Sequence, residues 1–528
     1  VRHATCIERL RRSFAQIERW IPLLLPAAVG ALALCLRVHA LGRESLWLDE
    51  GFTWQRARLP VPELIADAIG AHHNPSYFLL LHYWVQFGDD EYMLRFPSAL
   101  AGALTAAAGC VLGRVLAGSA AGFVTGMLVA LAPVHVLFGQ EARMYAPLSA
   151  TATIAMTALI WLGVHAEAAA LPIFGTRRLH RLWLGTPGVL SPPSAAGAAD
   201  LQPLAAGTAA RPPYGIWAAY IAGTIGTLYL HNTAVVFGAT LAIAGAALLI
   251  HPFRMRLGFA INFVAANLIV LVGFGLYLRT ELAQAERFSN EAFWMDFPSP
   301  KDLIGFAREI YLLTAPWPSP LAVLLLMAVA LGVFRLRRRP EVALAVVCLA
   351  IGGALLLLLV STYKPMFGTR FMLWATVPFF ALVGAGVAQR RPWIFALAFV
   401  LGVGWLVRPQ LERDYRELTK EPWREVMWTI RSRAQPRSRI MTATWEEASI
   451  LEYYMQRRSY PFDSIPVTVR RRRNAWKQVG DATRVWIIDR KDGRRFKRLK
   501  RGLEQRGQLG WERSWLGIRV VEFDFARN

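Results

Sequence analysis

WIPLLLPAAVGALALCLRVHALGRESLWLDEGFTW, from Trp20 to Trp54, decides the fold. Its first half contains Ile21–Ala40, an apolar run long enough to cross a bilayer as a helix. Its second half ends that run and presents two adjacent carboxylates, Asp49 and Glu50. Arg9, Arg11, Arg12 and Arg19 come before the run, so the positive-inside rule starts the chain in the cytoplasm and brings the carboxylates out on the other side. The long basic stretch and the spans that follow read as a signal anchor rather than a cleaved leader.

Working outward, further apolar runs follow at Ser98–Leu116, Ala120–Phe138, Pro147–Val164, Tyr214–Leu230 and Ala234–Ile250. Others lie at Leu257–Tyr277, Pro318–Phe334, Val342–Val360, Phe371–Val387 and Trp393–Val407. The expectation is an all-α polytopic membrane domain of about 11 helices over residues 1–407. The loops on the arginine-rich side carry Arg114, Arg177, Arg178, Arg181, Arg254, Arg256, Arg335, Arg337 to Arg339, Arg390 and Arg391. Those on the other side carry Glu44, Asp49, Glu50, Glu63, Asp67, Asp89 to Glu91, Glu281, Glu286, Glu291 and Asp296. This asymmetry predicts a multi-pass protein of the bacterial cytoplasmic membrane, with its N-terminus inside and everything after residue 408 outside.

Composition agrees: 528 residues, 55% hydrophobic, exclude an ordinary soluble domain of this size. The net charge of +23 points to membrane lipids and phosphate-bearing lipids, and no nucleic-acid motif accompanies it. Four cysteines occur: Cys35, Cys110 and Cys348 lie within apolar runs and Cys6 in the basic arm, so neither a disulfide nor a cysteine-ligated metal is expected. Leu171 to Pro213, rich in Ala, Gly, Pro and Ser, reads as a flexible cytoplasmic loop.

After Arg408 the pattern changes. TRVWIIDR and IRVVEFDF are strand-like, WREVMWTIRSR and EEASILEYYMQ helix-like, which predicts a basic extracytoplasmic α/β domain over 408–528. The run at Val469 to Arg473 suits either a solvated surface or contact with acidic head groups. Because this domain lacks the polar motifs of the membrane part, its expected role is to gate the site or recruit an acceptor.

Five polar motifs interrupt the apolar part, all on the carboxylate side: Asp49–Glu50, AHHNPSYFLLLHYW from Ala71, FGQEARMYAP from Phe138, YLHN from Tyr229 and STYKPMFGTRF from Ser361. Ionisable groups near a bilayer are costly, and their convergence marks a functional cavity. On a helix Asp49 and Glu50 diverge, so one faces the cavity and the other an Arg, a head group or backbone. A helix N-terminal carboxylate is the structural alternative. Trp47 and Trp54 read as interfacial anchors. His73, with His72 and His231, is a candidate metal ligand, although loop histidines also bond to backbone. Glu141 and Arg143, with Tyr145, open a helix and suit a site or a local ion pair. Lys364 and Arg370 flank a turn and suit either a phosphate clamp or snorkelling to head groups.

At these residues the chain resembles the GT-C superfamily of polytopic glycosyltransferases, in particular the bacterial protein-mannosyltransferase and aminoarabinose-transferase group. The likeness rests on WLDEGFTW, HNPSYFLLLHYW, FGQEARMYAP, YLHN and GTRFML. It implies a polyprenyl-phosphate-linked sugar donor and an acceptor hydroxyl on a lipid, glycan or protein, with transfer on the extracytoplasmic face and inversion at the anomeric carbon. It implies Asp49 as the catalytic carboxylate and Glu141 as the assisting one. Glu50, His73, Arg143, Tyr145 and His231 become substrate contacts, and Lys364 and Arg370 the cations that hold the lipid phosphate. Relatives of the aminoarabinose type have an acidic residue and Lys-Pro-Pro where this chain has His73, Asn74 and Pro75, which leaves a divalent metal an open candidate. A lipid-linked-sugar flippase or a polymerase using diphosphate-linked donors would share the spans. A flippase would place charges at the midplane and on both faces, with repeat symmetry.

Overall fold

The computed structural model describes residues 20–21, 23–165, 213–250, 257–290, 296–316, 318–388, 392–442, 445–456, 467–468, 479–480, 482–490 and 493–525. The basic N-terminal arm, the Ala/Pro-rich loop, the 469–473 arginines, Cys6, Arg254, Arg256, Arg390, Arg391 and Glu291 lie outside the described residues.

The architecture is a helical membrane domain joined to a small C-terminal sheet. Among the described residues six helices are long and apolar enough to cross a bilayer, seven if one bent pair counts as a single span. Shorter apolar helices such as Leu23–Val38 (α1) accompany them. After α1, three short helices, α2 (Leu48–Ala57), α3 (Val61–Gly70) and α4 (Ser76–Trp84), lie before the first long one, α5 (Glu91–Ala117). Then come α6 (Ser119–Leu131), α7 (Pro133–Gly139), α8 (Tyr145–Val164), α9 (Tyr214–Leu230), α10 (Ala234–Ala247) and α11 (Leu257–Asn290). The series ends with α12 (Pro300–Ile310), α13 (Pro320–Arg335), α14 (Pro340–Tyr363), α15 (Thr376–Val387) and α16 (Pro392–Arg416). A helix or helix pair stands at each apolar run read from the sequence. Val264, Leu268, Val272, Leu355, Leu359, Ile394 and Leu401 are exposed, an apolar belt suited to lipid.

One predicted span, Ala120–Phe138, is broken: α6 and α7 meet at 59° across Ala132. Pro133 has no N–H, so the carbonyl of Val129 loses its helical donor. The buried Arg37 of α1 supplies one, donating to Val129 O at 3.2 Å and Ala130 O at 3.4 Å. A cation at a helix C-terminus also suits the dipole. The break aims the chain after Gly139 at the same end of the bundle as Asp49. Elsewhere the helices touch through small residues. A Cβ on Gly386 would lie 1.9 Å from Ala328 O, so α13 and α15 pack backbone to backbone.

The C-terminal part contains α17 (Trp423–Arg433), β1 (Ser438–Thr442), α18 (Trp445–Gln456), β2 (Val467–Thr468), β3 (Arg484–Asp489), α19 (Arg494–Leu503), β4 (Gln508–Trp515) and β5 (Ile518–Asp524). Both strand-like and both helix-like segments read from the sequence form as expected, and the sheet order is β2-β1-β3-β5-β4. β1 is parallel to β2 and β3, while β5 is antiparallel to β3 and β4. The composition change at residue 408 falls inside α16, which continues to Arg416.

This sheet has no separate core on the side facing the membrane domain. Trp423, Ile430, Ile450, Tyr453, Trp486 and Val520 pack in one buried cluster with Leu46, Leu48, Trp54, Leu94 and Ala142. Trp54 is therefore not the interfacial anchor the sequence suggested. It is 1% exposed, edge-on to Tyr453, and donates to Asp89 Oδ2 at 2.9 Å.

Candidate active site

The site is assembled on α2, whose first turn carries both carboxylates. Successive helical residues point about 100° apart, so neighbours serve different surroundings.

Glu50 turns inward. Arg95, one turn into α5, grips it bidentately, Nε to Oε1 at 2.8 Å and Nη2 to Oε2 at 2.6 Å. The Ala142 N–H donates to Oε1 at 2.8 Å, the Trp47 N–H to Oε2 at 3.2 Å, and Lys420 Nζ lies 3.4 Å from Oε2. Burial alone would raise this carboxyl, but Arg95, Lys420 and the Ala142 amide bring it down to about 2. Arg95 also donates to the carbonyls of Leu41, Glu44 and Ser45. Glu50, expected as a substrate contact, is instead wholly buried and bonded within the protein, and its position pins the 41–50 loop.

Asp49 turns outward, its side chain 28% exposed, with Arg143 Nη2 at 3.7 Å and Arg370 Nη1 at 4.0 Å. Arg143 Nη1 also donates to Asp49 O and Thr53 Oγ1, both at 3.3 Å. Arg143 thus belongs to Asp49 rather than forming a local ion pair with Glu141, to which it is tied by a backbone bond. Both guanidiniums lie over the Tyr145 ring, 5.8 Å from its centroid.

Glu141 follows α7 and is buried. Its pKa is raised to about 7, first by burial and then by the nearby charges of Glu50 and Asp49, with Lys420 and Arg143 opposing. His231, after α9, packs 6.0 Å from Tyr145 and 5.1 Å from Phe371. Its Nδ1 accepts from the Thr233 N–H at 3.1 Å, which leaves the proton on Nε2. Burial, then Arg143 and Arg370, hold it at about 3, a neutral imidazole. His73 sits edge-on to Phe78 and is likewise pushed down, by burial and by Arg143 and Arg56. Lys364 stands at the C-terminus of α14, six residues before Arg370, and Arg370 reaches Asp49.

The structure therefore brings together Asp49, Glu141, Arg143, Tyr145, His231 and Arg370 from four loops. Sequence reasoning missed Arg95 and Lys420. An arginine one turn into an apolar helix was a legible sign for Arg95. Nothing local marked Lys420, which arrives from the chain after α16. The candidate metal ligands His73 and His231 do not fit a divalent cation: Arg143 bears on both, and the Nδ1 of His231 is used. Among the described residues no three His, Cys, Asp or Glu side chains converge to hold an ion.

No protein-family model and no curated protein matches the chain. Solved structures do. ArnT from Cupriavidus metallidurans in the apo state aligns with TM-score 0.59 at 12% identity, covering 94% of this chain and 97% of that one. The same protein bound to undecaprenyl phosphate aligns with TM-score 0.55, 12% identity and the same coverage. The archaeal oligosaccharyltransferase AglB from Archaeoglobus fulgidus, in complex with an inhibitory peptide and a dolichol-phosphate, gives 0.50 at 9% identity, covering 95% and 74%.

Proposed function

For a chain that has the GT-C fold of polytopic glycosyltransferases, we propose transfer of a sugar from a polyprenyl-phosphate donor to an acceptor hydroxyl, on the extracytoplasmic face of the bacterial cytoplasmic membrane. The observation that carries the reading is Asp49: a partly exposed carboxylate held between Arg143 and Arg370 at the mouth of a membrane bundle. The neighbours solved with undecaprenyl phosphate and dolichol-phosphate support a lipid-phosphate ligand.

The acceptor oxygen attacks the anomeric carbon from the face opposite the phosphate. A C–O bond forms there as the bond from that carbon to the phosphate oxygen breaks, so the anomeric centre inverts. Asp49 takes the acceptor proton as positive charge develops on the sugar ring. The polyprenyl phosphate leaves with an added negative charge. Arg143 and Arg370 offer two guanidiniums against one carboxylate, so an anion arriving beside Asp49 is balanced most strongly at the transition state. Lys364 is a further cation for the lipid phosphate. Neutral His231 and ionised Glu141 orient the acceptor, and Tyr145 fixes the two arginines from below.

The test is release of polyprenyl phosphate from a polyprenyl-phosphate sugar in nanodiscs. Asp49→Asn should insert and fold normally yet turn over about 10²-fold to 10⁴-fold more slowly, the usual contribution of a general base. Near-normal turnover in that variant would remove Asp49 as the base.

A further inference from the structure

A second polar cluster lies behind the two histidines and takes no part in the chemistry above. Asn74 follows His73, Asn232 follows His231, and Glu281 and Gln284 project from the end of α11 beyond its apolar span. Asn74, Glu281 and Gln284 are 1%, 8% and 3% exposed. The amide groups are ordered: Asn74 Nδ2 donates to Leu228 O at 3.1 Å, and Asn232 Nδ2 to Gln284 Oε1 at 2.8 Å and His72 O at 3.1 Å. Gln284 Nε2 in turn donates to Ile69 O at 3.3 Å. Every amide nitrogen here is thus engaged with protein, and the Asn74 side chain also bonds the Glu281 carboxyl, while three oxygen atoms, Asn74 Oδ1, Asn232 Oδ1 and Glu281 Oε1, have no hydrogen-bond partner among the described residues.

Buried oxygens of this kind cost about 1–3 kcal/mol each unless something donates to them. Three acceptors held in place by the amide donors of Asn74 and Asn232 fit a ligand rich in O–H groups. A cation is disfavoured, because Arg143 sets a positive field across the neighbouring histidines. Burial raises the Glu281 carboxyl to about 7, so near neutral pH it both donates and accepts, as a hydroxyl partner should.

We infer that Asn74, Asn232 and Glu281 form a subsite for sugar hydroxyls, carried either by the transferred glycosyl group or by the acceptor. The inference rests on the glycosyltransferase reading of the adjacent centre. It adds a residue set that reads the sugar, distinct from the arginines that take the phosphate.

Methyl glycosides of several hexoses and pentoses, titrated against the nanodisc-embedded protein by ligand-observed NMR, test the subsite without lipid. At least one should bind the wild type, with Glu281→Leu and Asn232→Leu weakening it about tenfold or more. Glu281→Gln, which keeps an acceptor oxygen, should restore most of the binding. Binding of bare undecaprenyl phosphate, measured separately, should fall in Arg370→Ala and stay unchanged in Glu281→Leu. In turnover, a raised apparent KM for the lipid-linked sugar assigns the hydroxyls to the donor, and a raised KM for the acceptor assigns them there. Glycosides that fail to bind the wild type, or bind both leucine variants equally well, overturn the subsite. Failure of the wild type to bind the phosphate lipid overturns the donor reading alone.

Discussion

Glu50 and Asp49 show how one helical step divides labour between like residues. Glu50 is spent on structure: its carboxylate is shared by Arg95, Lys420 and two backbone amides in a site closed to water. Removing its charge leaves Arg95 buried against carbonyls alone. Glu50→Gln should destabilise the protein by about 3–5 kcal/mol, read as a lowered unfolding midpoint and less inserted protein, not as a selective loss of turnover. Glu141 carries the pH dependence. Its folded pKa of about 7 lies above the usual 4.5, so the native state holds a proton that the unfolded chain releases between those values. The stability tied to that proton is fully present below about pH 4.5 and is lost as pH rises through 7, up to about 3 kcal/mol. In the proposed mechanism the ionised form orients the acceptor, so turnover should climb with pH through an apparent pKa near 7. Glu141→Gln should flatten that limb in a pH–rate profile and remove the matching slope in stability.

Among the elements, α2 is the hinge between the two parts of the molecule. Its inner face meets α5 and the Glu141 loop, while its outer face meets α18 at Gly51, where a Cβ would come 3.1 Å from the Ile450 Cβ and 3.2 Å from its Cα. Backbone cannot yield as a flexible side chain would, so Gly51→Val should push α18 and α2 apart. The expected cost is about 1–3 kcal/mol, with turnover falling further than stability because Asp49 and Glu50, the partner of Lys420, both ride on α2. Comparing unfolding midpoints with turnover separates the two effects. An unaltered turnover would show that α18 merely covers α2. The chain between α16 and α17 reinforces the junction. Glu44 Oε1 accepts from the Thr419 and Lys420 amides, and Arg424 donates to Glu91 Oε1 at 2.8 Å. Arg43 closes it by donating to the Tyr415 carbonyl.

For the whole molecule, this clasp changes the expected part played by the residues after 408. They share a core with the first loop and send Lys420 against Glu50, so we propose that they complete the catalytic end rather than act as a detachable gate. The proposed orientation follows from the same arrangement. Gln86 and Ser432 are exposed near the site end, and Arg338 is exposed at the arginine-rich end of α13. Cysteines at Gln86 and Ser432 should react with an impermeant thiol reagent in intact cells, and one at Arg338 only after the membrane is opened. Labelling of the Arg338 position alone would invert the molecule and place the site in the cytoplasm.

Much of this was legible from the chain. Apolar runs near twenty residues must become helices in a bilayer, because their backbone groups have no other partners there. Arginine asymmetry orders the ends of those helices, so convergence of the polar motifs on one face followed from counting spans. Period-two and helical patterns after 408 likewise foretold strands and helices. What a local pattern cannot contain is the identity of a partner distant along the chain. Asp49 and Glu50 are equivalent as sequence, and only the arrival of Arg95 from one side and Arg143 and Arg370 from the other made one a buried structural group and left the other partly exposed as the proposed base. Trp54 looked like an anchor until Tyr453 covered it, and Lys420 had no local mark at all. Solvation by lipid determines the spans residue by residue, whereas burial and charge pairing at the site depend on which surfaces meet, and that is decided only when the chain is packed.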